Sequence, residues 1–291
     1  MWLYKRHHSC CAWRAQRAWR CRLHSAIRYL AVGIAAAATL IPGSAPQAVS
    51  LFHRPVVTVG ANRSNNWSGY NQGLLEQGNK QFHSVTGDWT VPTATAHRAG
   101  ENEYSSTWIG IGGGCIDAGC LATDASLIQA GTEQDVDSSG AAHYSAWWEA
   151  IPAPSVAVSL PVAAGDRIHA DLSETLPGIW SVTLKNLTRG QSFNLTLPYG
   201  STYATAEWIE ETPVAIDNSG NVSIGPLPNL STVKFDLATT NHAAAALKAS
   251  EEVQLVDAGN NPLATPSSPD PDADGFNDCA HAGSCGAPSS S

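Results

Sequence analysis

The sequence predicts an all-β protein built as an antiparallel sandwich or barrel. From Asn65 onward, short apolar or alternating runs are separated by Gly, Pro, Asn and Asp, the spacing that is typical of such folds. In the run 180–185, Trp, Val and Leu alternate with Ser, Thr and Lys, as in a half-buried strand. Only 14% of the residues are charged, and the abundant Ser, Thr and Val favour strands over helices.

No internal linker or repeat interrupts the chain between residues 65 and 260, so we expect a single domain over 65–268. The runs predict strands at 66–74, 81–91, 104–111, 125–131, 143–151, 155–160, 167–173, 180–187, 190–197, 203–210, 222–225, 231–238 and 251–257. One alanine-rich stretch, 243–250, reads as a short helix.

The first 48 residues predict a secretory signal. They hold seven Lys or Arg and no acid, and an apolar run at 29–42 leads to small residues near Ala45 and Ala48. This order of charged, apolar and small residues is typical of a signal peptide. We expect it to cover 1–45, followed by a short leader or pro-segment at 46–64. A membrane anchor is the alternative, but the apolar run is short for a membrane span.

The charge of the remaining chain limits its partners. All 25 acids lie after residue 48, against 16 − 7 = 9 bases, which leaves a formal charge of 9 − 25 = −16. A domain this acidic should not bind nucleic acid or an anionic membrane through its charge. We therefore expect a secreted, extracellular protein that has no membrane contact once the signal is removed.

The cysteines predict two local disulfides. Three cysteines would leave with the signal, and four remain as two close pairs, Cys115 with Cys120 and Cys279 with Cys285. In a secreted protein such pairs are expected to be oxidised. Metal binding is the alternative, but neither pair has zinc-finger spacing or matching histidines.

The C-terminal region 269–291 is rich in Asp, Pro and Ser and predicts a tail outside the domain. Asp270, Asp272, Asp274 and Gly275 match the start of a calcium loop. The glutamate expected at the twelfth position is replaced by His281. A solvated acidic turn is the alternative, and we expect no functional metal.

The sequence lacks the motifs of several common catalytic mechanisms. It has no G-x-S-x-G elbow, no H-E-x-x-H and no Asp-Thr/Ser-Gly pair. The remaining candidates for function are aromatic side chains and carboxyl groups. Gln129 lies in an apolar strand after the glycine run 112–114, and a buried amide needs a partner. Glu207 lies mid-strand among small and apolar neighbours, while Trp147 and Glu149 share one face of their strand.

Five stretches, taken in order, carry a resemblance to a known family. They are NNWSGY (65–70), GDWTVP (87–92), WIGIGG with SLIQAGT (108–113 and 126–132), YSAWWEAIP (144–152) and ATAEWIEE (204–211), with a weaker echo at 251–268. Together they resemble the glutamic peptidases, the eqolisin or G1 family.

The resemblance implies a β-sandwich of two bent antiparallel sheets, a lectin-like jelly roll, with the active-site cleft on its concave face. It implies an acid endopeptidase that acts on proteins or peptides without cofactor or metal and is insensitive to pepstatin; we expect a monomer. By the resemblance Glu207 is the general base and acid that activates water, and Gln129 positions that water and stabilises the oxyanion. The positions implied for the substrate cleft are Trp67, Trp108, Trp147 and Glu149.

Three departures from the family pattern stand out. Gly112 and Ser145 occupy positions where the family usually has acids, which should alter the pH profile and substrate preference. The usual final strand is replaced by the sequence at 272–285, so the closure of the sandwich is open to question. Two other functions remain: a carbohydrate-active enzyme that uses Glu149 and Glu207, or a non-catalytic binding module on a lectin-like sandwich.

Overall fold

The computed structural model describes residues 50–216 and 222–289. The predicted signal peptide lies outside these residues. Within them the regular secondary structure is almost entirely strand, and the only helix is one 3₁₀ turn at Ala249–Glu251. The all-β prediction is therefore confirmed.

The strands are numbered here in chain order. They are β1 (Ser50–Phe52), β2 (Thr58–Gly60), β3 (Arg63–Ser64), β4 (Trp67–Gly73), β5 (Ser84–Thr90), β6 (Ala94–Thr95), β7 (Ser106–Gly112), β8 (Leu127–Val136), β9 (Ala142–Ala150), β10 (Val156–Val158), β11 (Arg167–Leu176), β12 (Ile179–Asn186), β13 (Gln191–Pro198), β14 (Thr205–Glu211), β15 (Val214–Ile216), β16 (Val222–Ile224), β17 (Asn229–Leu230), β18 (Val233–Thr240), β19 (Ala243–Ala244), β20 (Glu252–Val256), β21 (Pro262–Pro266) and β22 (Phe276–Ala280).

Two antiparallel sheets share strand β20. Sheet I has the order β10-β9-β8-β7-β14-β4-β20. Sheet II has the order β13-β12-β11-β5-β18-β22-β21-β20. Two further pairings stand apart from these sheets, β1-β15-β16 and β6-β17. The arrangement is the predicted antiparallel β-sandwich.

The main core lies between the two sheets, and strand alternation builds it. In β12, Trp180, Val182 and Leu184 are fully buried while their neighbours are partly exposed, as their alternation predicts. From sheet I, Trp208 enters the same core, and its Nε1 donates to the carbonyl of Thr86 at 2.8 Å. A large apolar core of this kind supplies the main stabilising free energy of the fold.

Strand β14 is buried on both faces. Ala206 and Trp208 point into the main core, so Glu207, Ile209 and Glu211 point to the opposite face of sheet I. A second apolar cluster covers that opposite face; it consists of Val56, Trp67, Trp108, Leu127, Trp147, Ile209 and Val253. We call this side of sheet I the outer face, and it carries the candidate site.

The predicted helix at 243–250 is wrong. Residues 243–244 form β19, and the N–H groups of Ala245 and Leu247 donate to the carbonyls of Ala238 and Ala273. Ala246 has a φ of 53°, which a right-handed helix excludes. Alanine favours a helix locally, but pairing with distant backbone satisfies these groups first.

The region expected to form a tail contributes strand β22. Phe276 pairs with Phe235 of β18, and β22 also pairs with β21. Phe276 is fully buried against Tyr70 and Phe235. The unusual sequence at 272–285 therefore still supplies a strand that joins β18 and β21 within sheet II.

We predict that Gly69→Ala severely destabilises the fold. Gly69 has a φ of 137°, and an added Cβ would lie 2.1 Å from the carbonyl oxygen of Trp208 in the paired strand. Backbone would have to move, at a cost of about 2–4 kcal/mol in the free energy of unfolding. Gly200→Ala is the control, since a Cβ there meets nothing within 4 Å. Equal urea midpoints for the two variants would contradict the prediction.

Candidate active site

The strand register places the predicted catalytic residues in one row. Across β4, β14, β7, β8 and β9 the paired residues are Asn71, Glu207, Gly110, Gln129 and Glu149. Directly paired residues project to the same face of a sheet. Four polar side chains therefore line up on the outer face of sheet I, with a glycine in the middle.

Gly110 leaves a gap between Glu207 and Gln129. Neighbouring strands lie about 4.8 Å apart, so the Cα atoms of these two residues are about 10 Å apart. A Cβ added to Gly110 would lie 2.9 Å from the Trp108 ring, 3.0 Å from Leu127 and 3.3 Å from Oε2 of Glu207. Glycine at this position thus lets the carboxyl group and the indole approach the backbone of β7, where a side chain would not fit.

Glu207 is fully buried, and no described residue hydrogen-bonds either of its carboxylate oxygens. Burial raises the pKa of Glu207 well above its usual value, and the charge of Asp124 adds to the shift. Both effects penalise the ionised form. In the state described here, Glu207 is therefore protonated in weak acid.

Gln129 is also fully buried, and Glu149 orients its amide. Nε2 of Gln129 donates to Oε2 of Glu149 at 2.7 Å, while Oε1 of Gln129 has no partner among the described residues. A primary amide carries two N–H donors, so one remains for another acceptor. Burial raises the pKa of Glu149 to about 7.

The three predicted cleft tryptophans lie on the same face, beside this row. Trp67 and Trp108 pack edge to face with ring centres 4.9 Å apart. The indole of Trp108 donates to Oε2 of Glu211 at 2.9 Å, and that of Trp147 donates to Ser106 at 3.0 Å. The structure thus brings together all six residues that the sequence singled out for the site.

A glycine loop covers Glu207, and Asn71 fastens it. Nδ2 of Asn71 donates to the Cys115 carbonyl at 2.8 Å, and the Cys115 N–H donates to Oδ1 of Asn71 at 2.9 Å. A Cβ on Gly114 would lie 2.7 Å from Oε1 of Glu207, so only glycine permits this close approach. The predicted disulfide Cys115–Cys120 closes the same loop.

Sequence reasoning gave no role to Asn71, Glu133, Glu211 or His53. Alternation along β14 places Glu211 on the face of Glu207, but only the fold shows that it accepts hydrogen bonds from Trp108 and His53. Glu210 points to the opposite face and accepts a hydrogen bond from Thr107 at 2.6 Å. The two neighbouring glutamates therefore lie in different environments.

The acidic residues of the C-terminal region lie in sheet II and the loops beside it. Carboxylate oxygens of Asp236, Asp270 and Asp274 lie within 4.8 Å of one another, and Asp272 is outside this group. The second predicted disulfide, Cys279–Cys285, is formed nearby. Within each pair the two cysteines are joined by a disulfide, so these four described residues offer no thiolate to a metal.

The β-sandwich fold and the comparison with a family model together define a class, that of the β-sandwich peptidases. A model of the Peptidase A4 family matches residues 65–273. The chain belongs to this family, the eqolisins or glutamic endopeptidases. Membership of this family makes the protein a hydrolase that acts on peptide bonds.

Solved structures agree on the fold. Scytalido-glutamic peptidase, solved with a transition-state analogue inhibitor, matches with a TM-score of 0.57 at 20% identity, over 74% of this chain and 98% of its own. SCP-B, an eqolisin in complex with the tripeptide Ala-Ile-His, matches with a TM-score of 0.53 at 20% identity, over the same shares of the two chains. No curated protein matches the sequence. Among the described residues no helix is long and apolar enough to cross a membrane.

We predict that the folded protein is most stable in acid. Burial raises the pKa of Glu149 to about 7 from 4.5, and those of Asp278 and Asp135 to about 7 and about 8 from 3.8. A carboxyl group with a raised folded pKa stabilises fully below its unfolded value, and this contribution is lost as the pH rises through the folded value. The urea midpoint should therefore fall between about pH 4 and pH 8.

Glu149→Gln tests the assignment, because an amide cannot ionise. The midpoint of this variant should fall less steeply over the same range than that of the wild type. Glu101→Gln, an exposed control, should leave the slope unchanged. A wild-type midpoint that rises toward pH 8 would contradict the prediction.

Proposed function

We propose that this protein is a secreted acid endopeptidase in which Glu207 and Gln129 act together on a water molecule and the substrate carbonyl. The observation that carries the proposal is the row Glu207–Gly110–Gln129, in which a carboxyl group and an amide lie on one face of the sheet with only a glycine between them. Because no side chain of β7 separates them, both groups can act on one water molecule and one peptide carbonyl once the outer face is open. The family supplies the reaction, peptide-bond hydrolysis.

In the proposed reaction Glu207 removes a proton from water as it attacks the peptide carbonyl. The free N–H of Gln129 donates to the oxyanion that develops, a type of contact that contributes about 3–4 kcal/mol to the transition state. Glu207 then passes the proton to the leaving amine. No covalent intermediate or metal is required, and Gln129 keeps its donors at every acidic pH because an amide does not titrate.

A general base must be ionised, yet burial keeps Glu207 protonated in the state described here. Glu207 can be protonated at rest and ionised during catalysis if the outer face opens before the reaction. Contact with water would lower the pKa of Glu207 toward its usual value of about 4.3. The covered arrangement is then a resting state, and a cleft open to solvent and substrate is the active one.

The carbohydrate-active alternative has less support. A glycosidase needs two carboxyl groups that face each other across one bond, about 5–9.5 Å apart. Glu207 and Glu149 are separated by β7 and β8, and Gln129 lies in the row between them. Glu149 is also bonded to Gln129. This geometry favours a partner of the amide over an acid that acts on a sugar.

We expect the protein to cleave a denatured protein between pH 2 and pH 7 in the presence of pepstatin. Glu207→Gln and Gln129→Ala should each lower kcat/KM by at least about two orders of magnitude. Both variants should keep the wild-type circular dichroism spectrum, since neither side chain holds the main core together.

Glu210→Gln is the matched control in the same strand, because it is equally buried but faces away from the gap. It should keep most of the activity. If Glu207→Gln cleaves at the wild-type rate, or if only Glu210→Gln loses activity, then Glu207 is not the general base. If the wild type cleaves nothing at any pH, the proposal fails.

A further inference from the structure

Residues 53–57 of the predicted leader lie across the outer face of sheet I. Val56 is almost fully buried in the cluster that contains Trp67, Trp108 and Leu127. Its N–H donates to the carbonyl of Gly113, in the loop that covers Glu207, at 2.9 Å. The segment therefore covers the surface that a substrate would need.

Asn66 ties this segment to the start of β4. Its Nδ2 lies 3.3 Å from the carbonyl oxygens of both Arg54 and Pro55, and its Oδ1 accepts from the Val57 N–H at 2.7 Å. The backbone of residues 54–57 is thus fixed by one side chain. A segment held in this way presents its own side chains to the outer face in a defined order.

The His53 side chain is fully buried. Its ring stacks on Trp147 with centres 3.7 Å apart and an angle of 4° between the planes. Nδ1 lies 3.0 Å from Oε2 of Glu211, and Nε2 lies 3.5 Å from Oε1 of Glu133. An aromatic floor with one carboxylate near each ring nitrogen suits a flat cation.

The charges around His53 favour its protonated form. Burial alone would lower the pKa of His53, but Glu211 and Glu133 outweigh it and raise the pKa to about 10. Glu149 and Asp135 also lie close enough to interact with this charge. Arg54, next in the chain, contributes only its backbone N–H, which lies 3.3 Å from Oε1 of Glu211.

We propose that Trp147, Glu133 and Glu211 form a substrate subsite for a positively charged side chain, and that His53 fills this subsite until the leader leaves. As a statement about catalysis, the proposal rests on the proposed peptidase function. Trp147 precedes Glu149 by two residues, about 7 Å along the strand. The subsite therefore receives a side chain one to three residues from the scissile bond.

The first test uses the full chain with His53→Ala and free imidazole as the probe. At pH 5 imidazole is protonated and should bind where the ring was removed, because Trp147 and both carboxylates remain. We expect 100 mM imidazole to raise the thermal midpoint of His53→Ala by about 2–4 °C. It should leave the wild type unchanged, since His53 already fills the pocket.

Two variants serve as controls for this test. His169→Ala removes another histidine that lies 2.6 Å from a carboxylate, Asp88, and imidazole should not stabilise it. Glu133→Gln added to His53→Ala should abolish most of the shift. Equal shifts in the wild type and in both histidine variants would overturn the proposal. If His53→Ala fails to fold, His53→Val replaces it in both tests, because it keeps an apolar contact with Trp147 and still removes the imidazole from between Glu133 and Glu211.

The second test compares peptides that differ only in one residue near the scissile bond, with Arg, His or Leu at that position. In His53→Phe the leader still fills the subsite. We therefore expect the ratio of kcat/KM for the Arg peptide to that for the Leu peptide to be no higher than in the wild type. In His53→Ala, kcat/KM for the Arg or His peptide should exceed that for the Leu peptide about 10-fold. Glu133→Gln added to it should reduce this ratio at least about 5-fold, whereas the exposed Glu101→Gln should not.

The outcomes separate this proposal from the proposed function. Cleavage of all peptides at equal rates, with no effect of Glu133→Gln, would overturn the subsite and leave the peptidase intact. If no peptide or protein is cleaved, the peptidase proposal fails, while the imidazole experiment still reports whether the pocket binds a cation.

Discussion

The cross-strand register of β14, β7, β8 and β9 is the constraint on which the site depends. A slip of one residue in β8 would turn Gln129 into the main core, and a slip in β7 would fill the gap with Ile109 or Ile111. The core fixes this register, because Trp208 and Ile128 must face the main core. These two residues are the sequence neighbours of Glu207 and Gln129. The chemistry on one face is thus held in place by packing on the other.

The outer face collects polar groups that a folded protein normally keeps in water. Burial of carboxyl groups is tolerated when they are protonated or hydrogen-bonded, and Glu207 and Glu149 both have raised pKa values. The glycine loop and the leader exclude solvent from this row. A fold of this kind suits an acidic medium, where protonation removes the cost of burying the carboxylates.

Local patterns predicted the parts of the protein that local forces decide. Alternation in 180–185 gives the inward residues of β12, and the same period puts Trp147 and Glu149 on one face. Resemblance to a family singled out Gln129 and Glu207, and the register brings them to one row. The alanine-rich stretch 243–250 misled because its N–H groups donate to carbonyls outside the stretch, in β18 and in the loop before β22. For the same reason the roles of Asn71 and His53 could not be predicted.

Acid would act on the proposed resting state through the charges around His53. His53 stays protonated from acid to neutral pH, so only its partners can titrate in that range. Burial alone would raise the pKa of Glu133, but the nearby positive charge of His53 lowers it. Protonation of Glu133 in stronger acid would remove one of the charges that hold His53 over Trp147. The acid that suits the buried carboxyl groups of the fold would therefore also weaken the leader's hold on the subsite.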